Sequence, residues 1–396
     1  MKDEYDVAVV GAGPGGTYAA KKLAEKGLSV LCIDKREEIG APVRCGEGLA
    51  KAHFKRFGIP EKGNHIANNI YGMSLISPNG TRLTLKDKTD DALCGYLLER
   101  KMFDKYLAIE AARAGAEVQA KVRCTGVLKG KNGIEGINCD RFGEEFEVRA
   151  RLTVAADGVD SKVARWAGID TAEKLETFDS GFQYEMAGID IQDHEVLEFY
   201  IGNSIAPSGY IWVFPKGKDV ANVGIGINAA SEKNAKYYLD RWVKQHGYGD
   251  GSIVEVNGGG IPVGGVSKEF ATDGLVVVGD AARQVSPIHG GGIAFAMGAG
   301  SIAAEVGAKA LEKGDVSKTR LDEYKALWDS AYGKTFKRHL RLQKIAASLN
   351  DAEIDQLATV FDTKTVLDMM DGKTAAVKTL IKKSPKLGKL LFKFII

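Results

Sequence analysis

The chain has 396 residues, 44% of them hydrophobic, enough for two or three domains with substantial cores. Its 54 basic and 52 acidic residues nearly cancel to a net +2, which argues against a general nucleic-acid binder. Seven lysines and no acidic residue fall in 373–396, so the balance conceals a basic tail on a body with 47 basic against 52 acidic residues.

From the N-terminus, MKDEYDVAVVGAG runs directly into a strand and leaves no room for the apolar core of a signal peptide. Residues 5–34 read as a βαβ unit: YDVAVV, the glycine turn GAGPGG, the helix TYAAKKLAEKGL and the strand SVLCID. MSLIS and TRLTL flank Pro78, Asn79 and Gly80 and predict a hairpin over 71–85. A helix is expected at about 96–114, then strands near VQAKV and FEVRARLTVAA. Short alternating segments from about 181 to 263 predict an antiparallel sheet. LVVVGDAA is a buried strand leading to a glycine-rich helix start, and Val285–Ala304, broken by Pro287 and five glycines, reads as a loop and buried helix. From about 317 the pattern is helical to the end.

Gly11, Gly13 and Gly16 have the G-x-G-x-x-G spacing, with Gly15 a further position where no side chain blocks a ligand. Such a turn, opening a helix after a strand, lets a pyrophosphate approach helix N-terminal amides. Asp34 ends the second strand, where a carboxylate can bond ribose hydroxyls and repel a 2′-phosphate. A dinucleotide with an unmodified adenosine ribose is expected. No second motif of this kind opens another βαβ unit.

PVRCGEGL at 42–49 puts a cysteine in a glycine-rich loop, which as a sequence admits a metal ligand, a reactive thiol or a small residue held against a bound ring. The five cysteines (Cys32, Cys45, Cys94, Cys124, Cys139) form no C-x-x-C pair, and the six histidines have no metal spacing. No disulfide framework or metal site is expected, and a reducing cytoplasmic setting fits. Along GYIWVFP, alternation puts Tyr210, Trp212 and Phe214 on one strand face, which is either a ligand wall or a face packed into a core. Leu387, Leu390, Leu391, Phe394 and Ile395 form an apolar stripe flanked by Lys386, Lys389 and Lys393. That is a basic amphipathic helix, for an anionic membrane surface or for packing on the body or a partner.

AADGVDSKVAR (155–165) and GDAARQVSPIHGGGI (279–293) resemble the later motifs of the flavoprotein monooxygenase superfamily, to which p-hydroxybenzoate hydroxylase belongs. The resemblance implies FAD: Asp280 on the ribityl chain, and Gly291, Gly292 and Ile293 opening a helix toward the flavin pyrimidine. It also implies Arg100 approaching the cofactor and the backbone near Val122 contacting adenine; Arg100 could equally be a surface residue. Asp157 belongs to the same cofactor set, with a plain turn and ion-pair framework with Arg165 as the alternative. His289 stands beside the glycines, in contact with the cofactor loop or as a structural residue.

PVRCGEGL and PSGYIWVFPKG (207–217, P-x-x-Y-x-W-x-F-P-x-G) match motifs of the geranylgeranyl reductase family, and the resemblance covers residues 5 to about 300 in order. It looks most like the archaeal digeranylgeranylglycerophospholipid reductases, which saturate isoprenoid chains of membrane lipids. Flavin-dependent halogenases carry a related W-x-W-x-I-P, from which Tyr210 and Phe214 depart. The resemblance implies an α/β fold with an α+β second domain. A Rossmann-type FAD-binding domain (1–70, 96–180, 257–316) would be interleaved with an antiparallel-sheet substrate domain (71–95, 181–256), followed by a C-terminal helical region (317–396).

It further implies an oxidoreductase acting on isolated C=C bonds of geranylgeranyl chains, peripheral at the membrane, whose external electron donor, NAD(P)H, ferredoxin or another, is left open. Tyr210, Trp212 and Phe214 would line the lipid, and Arg44, Cys45, Gly46 and Gly48 would border the flavin or substrate, Cys45 as a positioning residue or proton donor. An isolated trisubstituted alkene has no carbonyl to polarise it, so its reduction calls for a hydride, a proton and a dry pocket. The alternatives are an FAD monooxygenase of an apolar ring compound, and a flavin electron carrier at the membrane, for which no iron-sulfur cysteine cluster is present.

Overall fold

The strand Glu4–Val10 lies between Val30–Ile33 and Glu144–Ala155, parallel to both, with Val9 opposite Cys32 on one side and Val154 on the other. Val7, Ala8 and Val9 are fully buried, as expected of a continuous apolar run in a sheet covered on both faces. The structure, a computed structural model, describes residues 1–360. They divide into two units, each assembled from three stretches of chain.

The first unit comprises Met1–Val43, Glu99–Glu173 and Ile261–Phe336. Its eight-stranded sheet continues the parallel order outward with Glu117–Gln119 beside Val30–Ile33 and Leu275–Val277 beside Glu144–Ala155. Ala271–Thr272 closes one edge antiparallel, and Arg123–Gly130 and Gly133–Arg141 form an antiparallel excursion from Glu144–Ala155. Helices Pro14–Ala24 and Ile293–Glu312 pack closely through small residues: a β-carbon on Gly300 would stand 2.5 Å from the Gly15 carbonyl. The expected helix at 96–114 begins later, at Arg100, because Gly95–Leu98 is a strand. Residues 317–336, expected in a separate helical region, belong to this unit. Tyr324 packs tilted and Trp328 edge-on against Phe270, with ring centroids 5.3 and 5.5 Å away, and the Tyr324 hydroxyl donates to the Val277 carbonyl (3.0 Å).

The second unit holds Arg44–Leu98, Lys174–Gly260 and, of the described residues, 337–360. Its seven-stranded sheet runs in the order Ser252–Ile261, Asp179–Ala187, Val220–Asn228, Tyr210–Pro215, Leu197–Ile201, Gly72–Ile76, Arg82–Lys86. The predicted hairpin is present, with Ile76 opposite Arg82. The sheet is not purely antiparallel, since Leu197–Ile201 pairs parallel with Gly72–Ile76. Residues 44–70, expected with the nucleotide-binding domain, lie in this unit because Gly48–Ala50 and Ile66–Ile70 both pair with Gly95–Leu98.

One face of the large sheet presents Tyr184, Met186, Ile211, Val213, Val223 and Ile225 to a helix, Ala235–Gln245, that interrupts the strands. Leu239 and Trp242 of that helix are buried against the face, each contributing about 1.5–3 kcal/mol. Asn234 caps the helix, its side-chain oxygen accepting from the Tyr237 amide (2.9 Å). Among the described residues no helix is long and apolar enough to cross a membrane.

Candidate functional site

In the first unit the glycine turn separates into two kinds of position. Gly11 has φ +107° and its β-carbon would lie 2.2 Å from the Ala156 carbonyl oxygen; that of Gly16 would lie 1.9 Å from the Gly11 carbonyl oxygen. Gly15 is similarly enclosed, 3.0 Å from Val278 Cγ1. Those three are required by packing. Around Gly13, by contrast, a β-carbon would meet nothing within 4 Å, at the N-cap of helix Pro14–Ala24 where amides and the helix dipole favour a phosphate.

Asp34 leaves the second strand with both oxygens engaged by main chain: Oδ2 accepts from Ala12 N (3.0 Å) and Oδ1 from Arg36 N (2.9 Å). It shapes the loop itself, and each oxygen keeps a further acceptor position for a ribose hydroxyl. Val122 is buried, and its N–H donates to the Asp34 carbonyl (2.9 Å), which laces the 122 segment to the end of that strand.

Asp157 follows the strand Glu144–Ala155. Its Oδ2 accepts from Val163 N (3.0 Å), whereas Oδ1 is buried and accepts no hydrogen bond of good geometry. Burial pushes its carboxyl above the usual range. Arg165 donates to the carbonyls of Asp160 (2.6 Å) and Ser161 (3.4 Å), so the ion-pair framework with Asp157 is not formed. Asp280 is likewise pushed up by burial, with Arg100 acting in the opposite sense. A β-carbon on Gly292, the N-cap of helix Ile293–Glu312, would stand 3.1 Å from Asp280 Oδ1, so that carboxyl lies at the helix start. Ser161 Oγ donates to the Ala281 carbonyl (2.9 Å) and binds the two aspartate turns together.

His289 Nδ1 accepts from Gly291 N (3.1 Å), a role in shaping the glycine turn. Arg100 is no surface residue: it forms a two-pronged bond to Asp104 (3.0 Å each), itself 3% exposed. The open position at Gly13, the unsatisfied Asp157 oxygen and the buried Asp280 at a helix N-terminus are what a dinucleotide rich in hydroxyls and phosphates requires. These residues fit FAD.

In the second unit the sheet face opposite the Ala235–Gln245 helix forms a platform built from two cross-strand rows. Trp212 lies opposite Gly224, and Gly224 opposite Gln183; Phe214 lies opposite Asn222, and Asn222 opposite Glu185. Tyr210, Trp212 and Phe214 share this face, with Phe199 edge-on to Tyr210 (5.5 Å) and to Phe214 (5.2 Å). Trp212 and Phe214 cluster with Ile70 and Leu97. Burial raises the Tyr210 phenol, followed by Asp179 and Cys45, so it stays neutral.

The loop containing Cys45 rests on this platform. Trp212 Nε1 donates to Gln183 Oε1 (2.8 Å), and Gln183 Nε2 donates to the Cys45 carbonyl (3.1 Å). A β-carbon on Gly46 would stand 3.0 Å from the Phe214 ring, and one on Gly48 3.6 Å from Leu197, while Arg44 is exposed beside Gly259. Two residues after the start of the cysteine loop, Glu47 is buried and accepts from Asn222 Nδ2 (2.6 Å) and Lys216 Nζ (2.9 Å). Gln183, Glu185, Lys216, Asn222 and Glu47 were not singled out from the sequence. Glu47 and Lys216 carried a signal there, by lying inside PVRCGEGL and PSGYIWVFPKG.

A family model described as the geranylgeranyl reductase catalytic domain matches residues 177–261, the stretch that holds most of this platform, and one described as FAD dependent oxidoreductase matches residues 6–197. The chain is 44% identical over 393 residues to the digeranylgeranylglycerophospholipid reductase of Methanosarcina acetivorans, covering 96% of this chain and 95% of that one. It is 45% identical over 360 residues to digeranylgeranylglycerophospholipid reductase 2 of Methanococcoides burtonii (90% and 88% covered). The crystal structure of a geranylgeranyl bacteriochlorophyll reductase-like protein from Thermoplasma acidophilum superposes with a TM-score of 0.91 at 38% identity, over 100% of both chains. With relatives this similar over nearly its whole length, the chain belongs to the digeranylgeranylglycerophospholipid reductase family of FAD-dependent oxidoreductases.

Proposed function

We propose that this protein reduces isolated C=C bonds in the geranylgeranyl chains of an archaeal-type ether phospholipid or its precursor. The observation that carries the proposal is the aromatic platform within the matched catalytic domain. An isoprenoid chain offers area and no hydrogen-bonding groups, and aromatic side chains bury about 150–250 Å² each. The one indole N–H on the wall is already bonded to Gln183, so the rings of Tyr210, Trp212 and Phe214 offer a chain apolar area, with the charged Lys216 anchor just past the end of the strand. Such a surface excludes water from a carbon that takes on cation-like character during reduction.

Bound FAD supplies the hydride. Gly13 leaves room for its pyrophosphate in the turn that Gly11, Gly15 and Gly16 shape by packing, and Asp34 holds its ribose, with the main chain at Val122 beside the adenine. Asp157, Asp280, Arg100 and the helix start at Gly291, Gly292 and Ile293 serve the flavin half. Tyr210, Trp212 and Phe214 hold the lipid chain. Arg44, Gly46 and Gly48 bring main chain close to the ligand, and Cys45 positions it. If Cys45→Ser and Cys45→Ala keep the reduction rate, Cys45 is not the proton source.

The apolar stripe at 387–395 with its flanking Lys386, Lys389 and Lys393, which lies outside the described residues, supports attachment to an anionic membrane surface. Removing 384–396 is then expected to lower binding to anionic liposomes; unchanged binding would assign the stripe to packing.

The deciding experiment is anaerobic. The flavin is reduced with dithionite, geranylgeranylated glycerophospholipid is added, and flavin absorbance and lipid mass are followed together. Reoxidation with a gain of two hydrogens per turnover is expected. Flavin that stays reduced until oxygen enters, with an apolar compound then gaining an oxygen atom, would replace this reading with a monooxygenase.

A further inference from the structure

Glu47 is held at every polar group the residue has. Its amide donates to Cys45 Sγ (3.2 Å), its carbonyl accepts from Leu98 N (2.9 Å), and its carboxylate accepts from Asn222 and Lys216. It is 1% exposed and has φ +75°, a left-handed conformation that costs a residue with a long side chain about 1–3 kcal/mol. Lys216, 8% exposed at its side chain, also pairs with Glu185 (2.7 Å), so two carboxylates share one cation on a sheet face otherwise occupied by aromatic rings.

Neither the left-handed backbone nor the buried charges are demanded by the strand pairing that follows at Gly48–Ala50. Burying ions is expensive, and an apolar residue of similar volume would anchor a loop at equal or lower cost. What the charged anchor adds is direction. Asn222 and Lys216 both hold one oxygen of the carboxylate, Oε2, Gln183 fixes the Cys45 carbonyl from the neighbouring row, and the Glu47 amide points at the thiol sulfur. Cys45 is thereby located by both rows of the platform at once.

We infer that Glu47 is the positioning residue of this site, acting through the Cys45 loop rather than on the ligand, with Lys216 and Asn222 as its anchors. Resting on the proposed reductase function, the inference extends to the lipid: the Glu47 anchor sets how the loop bears on the chain lying along Trp212 and Phe214.

The test uses the full-length flavoprotein and the near-isosteric Glu47→Gln, which keeps one oxygen for Asn222 but removes the charge that Lys216 pairs with. Two rates are read: alkylation of Cys45 by iodoacetamide, followed on the Cys45 peptide by mass spectrometry, and lipid reduction with KM and kcat separated. In Glu47→Gln, Cys45 alkylation is expected to rise about tenfold and kcat to fall about 100-fold with KM little changed, the scale of a small misplacement at a reacting centre. Bound flavin per chain is expected to be unaltered. Alkylation and kcat both within about twofold of the parent, with flavin retained, would overturn the inference, since that is less than the coupling energies usual between contacting residues. Should Glu47→Gln not fold, Glu47→Gln with Lys216→Met and Glu185→Gln removes all three charges of the cluster, and the same two rates decide. If the parent protein does not reduce lipid at all, the reductase reading falls, while the alkylation rates still decide whether Glu47 positions Cys45.

Discussion

Trp212 and Gly224 face one another across two antiparallel strands, and the indole lies so closely over the glycine that a β-carbon there would stand 2.3 Å from Cζ2 and 2.4 Å from Cε2. Both atoms belong to the ring, which cannot bend away as a flexible side chain would. Gly224→Ala is therefore expected to tilt the indole off the platform at a cost of about 1–3 kcal/mol, as for other overpacked sites. The measurements are the urea midpoint and the KM for lipid. The midpoint should fall and KM should rise, with bound flavin unchanged.

The bond between Trp212 Nε1 and Gln183 can be separated from packing by a double-mutant cycle. Gln183→Leu strands a buried indole N–H at a cost of about 1–3 kcal/mol. In a Trp212→Phe background the same change should cost clearly less, because the stranded donor is gone. Equal losses in the two backgrounds would place the role of Gln183 in its bond to the Cys45 carbonyl alone.

Gly13 and Gly16 make opposite predictions within one motif. Gly16→Ala drives a β-carbon to 1.9 Å from the Gly11 carbonyl oxygen and should destabilise the protein with or without cofactor. Gly13→Ala meets nothing within 4 Å and keeps a backbone at φ −75°, so the flavin-free protein should unfold at the parent midpoint. Its FAD affinity should fall at least about tenfold, equivalent to ~1.4 kcal/mol. Flavin titration and denaturant curves on the two variants distinguish a packing glycine from a ligand glycine.

The pH dependence of the flavin-free protein reports on Asp157. Its carboxyl is raised by burial above the ordinary 3.8, so the folded state binds that proton more tightly than the unfolded chain does. The stability this provides is complete below 3.8 and is lost as the pH climbs through the raised value. Asp157→Asn removes the dependence. The variant's stability advantage over the parent should accordingly be larger at about pH 7 than at about pH 4, measured by thermal unfolding.

How far the sequence reached can be judged from particular residues. The turn at Gly11–Gly16, the hairpin around Pro78–Gly80 and the helix beginning at Ile293 were legible because each is written in adjacent residues, as glycine spacing or as a period of two. Tyr210, Trp212 and Phe214 could be placed on one face for the same reason. The helix Ala235–Gln245 was hidden by Tyr237, Tyr238, Trp242 and Val243, residue types favoured in strands, although Asn234 and the spacing of Ala235, Leu239 and Trp242 carried the helical signal. The platform was beyond reach for another reason. Asn222 stands 175 residues from Glu47, and their meeting depends on strand register, which no local pattern encodes.

The threading of the first unit from three separate stretches bears on how the protein is made. Gly11 to Asp34 leave the ribosome first, but Leu275–Val277, Asp280 and the helix Ile293–Glu312 come from the last third of the chain. A chain broken off before residue 293 would have a glycine turn that lacks its partner helix, and Gly15 would have no Gly300 to close upon. Capture of the yellow cofactor thus waits on the synthesis of Ile293–Glu312, and colour in a purified sample reports that translation passed this helix.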